Sequence, residues 1–313
     1  MRILVTGASG LVGNAIREES KSTDYEWVFL NSSMCDLRKY ENTKLYFGEK
    51  SPDYVVHLAA NVGGLFKNLE NNVTMYEDNM MINFNVLRSC HENKIKNCIS
   101  LLSTCIFPDN TTYPIDETML HRGPPHESNE GYSYAKRLLD VHCKLYNSKY
   151  GYNFKCIIPT NLYGKYDNYS LTDGHVVPSL IHKCYLECRS NRVNKWINVW
   201  GTGAPLRQFL YANDLAKILI ASIESITWQK DHNSLIVAPS KEYSILDISY
   251  MIGKQFGLSN IRLHNDKSDG QYKKTADNTL FKKYYPEFEF KLFEEGIKDT
   301  CDFFKSNYDN VRK

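Results

Sequence analysis

Several residues in this chain could do chemistry together. Tyr132 and Lys136 stand four apart in the run GYSYAKR, a Tyr-x-x-x-Lys that a helix would bring onto one face. A free phenol, with a pKa of about 10, is a poor proton donor at neutral pH; an ammonium beside it stabilises the phenolate and lowers that value. Such a pair could hand a proton to a carbonyl oxygen as hydride reaches the carbonyl carbon. Ser103 and Cys105, in LLSTCIFP, fall just past a short apolar run, and Ser103 could hydrogen-bond that carbonyl. Cys105 could be a core thiol or a reactive one, and it would point the same way as Ser103 if the strand continued.

A hydride needs a carrier, and the N-terminal run VTGASGLVG supplies a place for one. Gly7, Gly10 and Gly13 make a Gly-x-x-Gly-x-x-Gly turn directly after an apolar strand. Gly7 permits the sharp turn, Gly10 lets backbone N–H groups approach a pyrophosphate, and Gly13 lets helix and strand pack closely. An acid at the end of the second strand would select NAD; here Asn31, Ser32 and Ser33 stand there, neutral donors that tolerate NADP, with Arg38 or Lys39 as more distant cations.

The elements that must position these residues alternate. Strands are expected at 2–6, 26–30, 54–58, 96–102 and 154–158, with helices from 11 and over 39–50, 79–93 and 132–150. That order implies right-handed crossovers and a doubly wound parallel sheet, an α/β Rossmann-like fold whose ligands sit at the carboxyl ends of the strands. After Pro159 the alternation weakens: a polar loop at 164–173, a helix at 175–189, a strand at 196–200, and helices at 213–224 and 244–256. The expected division is a nucleotide-binding domain over 1–162 and 196–232 and a smaller, interleaved C-terminal α/β lobe over 163–195 and 233–313.

Composition excludes other classes. In 313 residues, Lys plus Arg is 38 and Asp plus Glu is 36, so a net charge of +2 gives no reason to expect nucleic acid or an anionic membrane. The hydrophobic fraction of 42% and charged fraction of 24% are those of a globular protein, and no apolar run approaches the roughly 18 residues of a membrane span. The N-terminal residues do not read as a secretory signal. Nine scattered cysteines with no Cys-x-x-Cys pair suit reduced thiols in a cytoplasmic protein, and no metal site is expected.

Together the glycine turn, Ser103, Tyr132 and Lys136 resemble the extended short-chain dehydrogenase/reductases. The set LLSTCIFP, GYSYAKR, PTNLYG, DGHVVP, VWGTGAPLRQF and KSDGQYKKT, in this order, resembles the GDP-L-fucose synthase family over nearly the whole chain. That resemblance implies NADPH-dependent epimerisation at C3 and C5 and reduction at C4 of GDP-4-keto-6-deoxy-D-mannose by a homodimer packed through the helices that hold Asn79 and Tyr132. It implies Tyr132, Lys136 and Ser103 for the reduction, and Cys105 and His175 as the acid–base pair for epimerisation. It implies NADP contacts at Gly7, Ser9, Gly10, Leu11, Val12, Gly13, Asp36, Leu58, Ala59, Ala60, Lys136, Pro159, Thr160, Asn161, Leu162 and His175. Substrate contacts would be Lys183, Trp200, Arg207 and Asp269, with Lys274 a further candidate for the diphosphate. Cations suit a diphosphate, and an indole face suits a flat ring or a sugar. An arginine that some members carry inside the glycine turn is replaced here by Ala8 and Ser9. The alternatives are another nucleotide-sugar reductase or 4-epimerase of the superfamily, or a non-catalytic NADP-sensing protein.

Overall fold

Short runs that are apolar on both faces become central parallel strands, because helices cover both sides of such a sheet. The computed structural model describes residues 1–224, 227–267 and 269–313. The first half runs β1 (Arg2–Thr6), α1 (Leu11–Glu19), β2 (Glu26–Leu30), α2 (Tyr40–Lys50), β3 (Tyr54–His57), α3 (Leu65–Glu70), α4 (Asn72–Glu92), β4 (Asn97–Leu101), α5 (Glu130–Tyr150) and β5 (Asn153–Pro159). There follow β6 (Asn161–Tyr163), α6 (Val176–Arg189), β7 (Ile197–Trp200), β8 (Leu206–Arg207), β9 (Phe209–Tyr211), α7 (Ala212–Glu224), α8 (Thr227–Asp231) and β10 (Ser234–Val237). The chain ends with β11 (Tyr243–Ser244), α9 (Ile245–Lys254), β12 (Ile261–His264), α10 (Thr279–Tyr284) and α11 (Phe293–Ser306).

Six strands form one parallel sheet in the order β10-β5-β4-β3-β1-β2. Alternation along each strand divides its side chains between two layers. Leu4, Val55 and Phe154 pack with Phe47, Val86 and Leu139 of α2, α4 and α5. Ile3, Val5, Val56 and Ile99 pack with Ile16 of α1, Leu215 and Leu219 of α7, and Trp228. A third core joins α6, α9 and α11 through Leu180, Ile252 and Phe304, with Val199 of β7 between them.

The strand order reverses between β1 and β3, which opens the crevice where doubly wound sheets bind nucleotides. A buried polar chain fastens its floor. The backbone N–H groups of Leu58 and Ala59 donate to Thr6 Oγ1, both at 3.1 Å, and Thr6 Oγ1 lies 2.9 Å from His57 Nδ1. His57 Nε2 lies 3.0 Å from Asn83 Oδ1, and the Asn83 amide donates to the Ala135 carbonyl at 3.3 Å. Burial, and secondarily the charge of Lys136, push the His57 pKa down to about 3, so the imidazole stays neutral and serves as a wire between crevice and α5.

Three local expectations differ from the structure. Helix α4 begins at Asn72 rather than near Asn79, although residues 72–78 show little apolar period. Packing against α5 supplies the stabilisation, and Asn72 Oδ1 accepts from Gly131 N at 2.7 Å. Ile197–Trp200 pairs with β12, away from the large sheet, whereas Ser234–Val237 pairs with β5 and completes it. Residues 197–200, expected in the nucleotide-binding domain, therefore lie outside its sheet, and residues 234–237, expected in the C-terminal lobe, complete it.

Candidate active site

The glycine turn is shaped by backbone contact. Gly7 has φ +68°, in the left-handed region, and a Cβ there would stand 2.8 Å from the Ala59 backbone at the end of β3. A Cβ on Gly13 would stand 2.5 Å from Ala8 Cα, so α1 can lie against the turn only with glycine at that point. Gly10 caps α1 with no side-chain hydrogen bond and no acid in the first turn, leaving the positive end of the helix to a ligand. Thr160 Oγ1, at the far end of the same crevice, is buried without a hydrogen-bond partner. A cradle with no room for side chains and an orphaned hydroxyl at its far end fit a dinucleotide.

The end of β2 is neutral. Asn31 Oδ1 accepts from Ser33 N at 3.1 Å and Ser33 Oγ at 2.7 Å, an Asx turn that sets the wall at Asn31 and Ser32. Arg38 lies in that wall, its guanidinium held by both oxygens of Asp36 at 2.9 and 3.0 Å and by Asp78 at 3.3 Å. Asp36 therefore enters the cofactor wall already paired.

Helix α5 grips the segment after β4 with consecutive turns of one face. Ser133 Oγ donates to the Cys105 carbonyl at 3.0 Å, Lys136 Nζ to the Leu101 carbonyl at 2.7 Å, and Arg137 to the carbonyls of Ile106 and, at 2.6 Å, Gly123. The strand ends at Leu101, so the expected alternation from Ser103 to Cys105 does not hold. Ser103 instead caps a single 3₁₀ turn at Thr104–Ile106, its Oγ accepting from Cys105 N at 3.4 Å. The turn leaves the Cys105 side chain half-buried in the cavity wall.

Tyr132 and Lys136 share that face, with the ammonium 5.9 Å from the centre of the phenol ring. Burial dominates both groups. It raises the Tyr132 pKa well above its ordinary value and, with only 2% of the residue exposed, drops Lys136 to about 8. The expected lowering of the tyrosine by the lysine is absent, because the ammonium points at the Leu101 carbonyl and the phenolate is desolvated. The Tyr132 phenol therefore keeps its proton at neutral pH.

The second lobe brings cations. His175 is the N-terminal flanking residue of α6, and Lys183 lies two turns along, 3.8 Å over the Trp200 ring and pushed down to about 8 by burial. Arg207 is lowered to about 10 by burial and donates to the carbonyls of Leu206 at 2.7 Å, Tyr272 at 3.1 Å and Gln271. Asp269 accepts from Thr202 N at 2.8 Å and Thr202 Oγ1 at 2.7 Å. Burial drops Lys274 to about 8, and Lys274 lines the same cavity as Cys105 and Arg207.

The catalytic, cofactor and substrate positions expected from the sequence all line one cavity of about 1150 Å³, Ser9, Leu11, Val12, Leu58, Ala59, Ala60, Pro159, Asn161 and Leu162 among them, whereas Ser33 and Lys39 are not part of its lining. The sequence reading missed Asn61, Lys67, Asn129, Asp167, Asn168 and Arg312 in its wall. Of these only Asn129, just before a helix, carried a local signal.

Residues 3–236 match the model of the NAD dependent epimerase/dehydratase family. The chain is 48% identical over 315 aligned positions to a GDP-L-fucose synthase of Dictyostelium discoideum, covering 99% of this chain and 97% of the relative. It is 42% identical to a probable GDP-L-fucose synthase of Drosophila melanogaster, covering 100% and 99% of the two. The chain belongs to the GDP-L-fucose synthase family. A crystal structure of a GDP-L-fucose synthetase from Naegleria fowleri bound to NADP superposes with a TM-score of 0.91 at 42% identity, covering 100% of this chain and 95% of that one. Membership in the GDP-L-fucose synthase family makes the chain an enzyme of the oxidoreductase–epimerase kind. Ser103, Cys105, Tyr132 and His175 all line its cavity.

Proposed function

We propose that the chain converts GDP-4-keto-6-deoxy-D-mannose to GDP-L-fucose, epimerising C3 and C5 and reducing C4 with NADPH. The observation that carries this reading is a single cavity lined by the glycine turn, by Ser103, Cys105, Tyr132 and His175, and by Lys183 and Arg207. Gly7, Gly10, Gly13, Leu58–Ala60 and Pro159–Leu162 would hold the cofactor. Bound there, NADPH would supply hydride to C4.

The protein's own groups would do the rest. C3 and C5 both flank the C4 ketone, so a base can remove a proton from either and leave an enolate. Cys105 and His175 would remove and return these protons on opposite faces. A cysteine and a histidine are the side chains with reference pKa values nearest that task. Ser103 would hydrogen-bond O4, orienting the ketone and stabilising the enolate oxygen. Tyr132 would then give its proton to O4 as the carbonyl is reduced. Lys136, 5.9 Å from the tyrosine ring centre, would bind the cofactor ribose. Arg207 and Lys183 would neutralise the diphosphate, and Trp200 would offer a face to a sugar or base.

The neutral Asn31–Ser33 wall supports NADP over NAD, since no carboxylate ends β2. A homodimer is supported by an exposed apolar stripe at Val73, Tyr76, Met81 and Phe84 of α4, beside Leu138 and Leu145 of α5, four-helix packing being its natural cover. A monomer by light scattering at micromolar concentration would contradict it. Nine free thiols support a cytoplasmic setting, and among the described residues no helix is long and apolar enough to cross a membrane.

The test separates the two chemistries. Tyr132→Phe should lose NADPH oxidation yet still exchange C3 and C5 protons with solvent deuterium, while Cys105→Ser should impair that exchange. A Cys105→Ser enzyme exchanging at the wild-type rate would remove the cysteine from the mechanism.

A further inference from the structure

The polar loop 164–174, between β6 and α6, folds back on itself. Gly174 N donates to Ser170 O at 3.1 Å, and a Cβ on Gly174 would stand 2.6 Å from the Asn168 carbonyl. The backbone at 168 is therefore pressed against the backbone at 174. That contact sets the preceding residue of one arm, Asp167, close to the following residue of the other, His175, and both line the cavity.

Asp167 is unusual for an acid. Only 4% of it is exposed; Oδ1 accepts from Asn168 N at 2.7 Å, and Oδ2 is buried with no hydrogen-bond partner. A buried carboxylate with an unused oxygen is costly unless a cation faces it. The cations that act on it are His175, at the head of α6, and Arg312, whose C-terminal segment is tied to this loop by Tyr169 N donating to Arg312 O at 2.8 Å. The Tyr169 phenol, which donates to the Lys165 carbonyl at 3.0 Å, is the neighbouring uncharged acid.

We propose that Asp167 is a positioning residue for His175, a buried carboxylate that orients the imidazole and stabilises its protonated form during epimerisation. This rests on the reading of His175 as an acid–base group. When His175 accepts a proton, the new positive charge meets the carboxylate. When it delivers that proton to a sugar carbon, the enolate electron pair forms the C–H bond, the N–H bond breaks, and the carboxylate and imidazole are left one proton short until water restores it. Burial alone favours the protonated acid, raising the Asp167 pKa, and a protonated His175 opposes that shift.

The test uses product partition, which does not depend on how much enzyme is folded. With GDP-4-keto-6-deoxy-D-mannose and NADPH, Asp167→Asn should lower the ratio of epimerised to unepimerised reduced sugar by about tenfold or more, a part of what a positioned acid–base group supplies. Asp167→Glu, which keeps the charge, should recover part of the ratio. In a His175→Gln background, Asp167→Asn should add nothing further. A ratio unchanged in Asp167→Asn would overturn the proposal. So would an equal loss in both backgrounds, which would mean that Asp167 serves Arg312 and the loop alone. A wild-type enzyme that yields no epimerised sugar would instead sink the functional reading on which the proposal stands.

Discussion

Replacing Lys136 with methionine should stabilise the protein near neutral pH while abolishing reduction. The lysine is nearly fully buried, and burial lowers its pKa from about 10.5 to about 8 in the folded chain. That gap of roughly 2.5 decades is about 3 kcal/mol, held against folding wherever the ammonium is charged in both states. The hydrogen bond to the Leu101 carbonyl, at 2.7 Å, offsets about 1–2 kcal/mol of it. Below about pH 8 both states carry the proton, and the full cost is present. Between about 8 and 10.5 the unfolded chain binds the proton more tightly, so wild-type stability rises with pH relative to the variant. Above that window the cost is gone and the hydrogen bond remains. Urea titrations of the nucleotide-free proteins, repeated from pH 7 to pH 10.5, should therefore show the variant more stable by about 1–2 kcal/mol at the low end and less stable by a similar amount at the high end. Titrations of groups that Lys136 does not act on are shared by the two proteins and cancel. Parallel stability curves would show that the ammonium is not desolvated, and the physical account of this helix face would fail.

Other outcomes follow from single contacts. Gly13→Ala would put a methyl group 2.5 Å from Ala8 Cα and should cost about 1–3 kcal/mol of stability together with NADPH affinity, measured by melting and nucleotide fluorescence. Arg207→Met should raise KM for the GDP-sugar by roughly tenfold to a hundredfold with a smaller effect on kcat, since it removes charge-assisted bonds to a diphosphate. Tyr132→Phe should lower the rate of NADPH oxidation by about a hundredfold or more in stopped-flow traces.

Much of this was legible from the chain because parallel central strands are short apolar runs bounded by glycine, and the helices between them are long. The pairing of Tyr132 with Lys136 follows from helical spacing alone. Other features had no local signature. INVW at 197–200 and SLIV at 234–237 are both four-residue apolar runs, and only tertiary packing decides which of them joins the large sheet. The early start of α4 rests on Asn72 accepting from Gly131, a partner far along the chain. Ser103 lies just past β4 as expected, but that the chain turns there, with Ser103 as its cap, had no local signature. Burial reverses the expected electrostatics of Tyr132, since the sequence cannot say where the lysine points. Asp167 sits in a polar loop without period, and its unpartnered oxygen becomes visible only once the loop is folded.

The most direct test of the central claim is to incubate the purified protein with GDP-4-keto-6-deoxy-D-mannose and NADPH, follow cofactor oxidation, and identify the sugar by NMR. GDP-L-fucose as the product is the expected result, since it requires both epimerisations and the reduction within one cavity. A reduced 6-deoxy sugar with unchanged C3 and C5 would contradict it and leave Cys105 and His175 as structural residues, and tight NADPH binding without turnover would contradict it altogether.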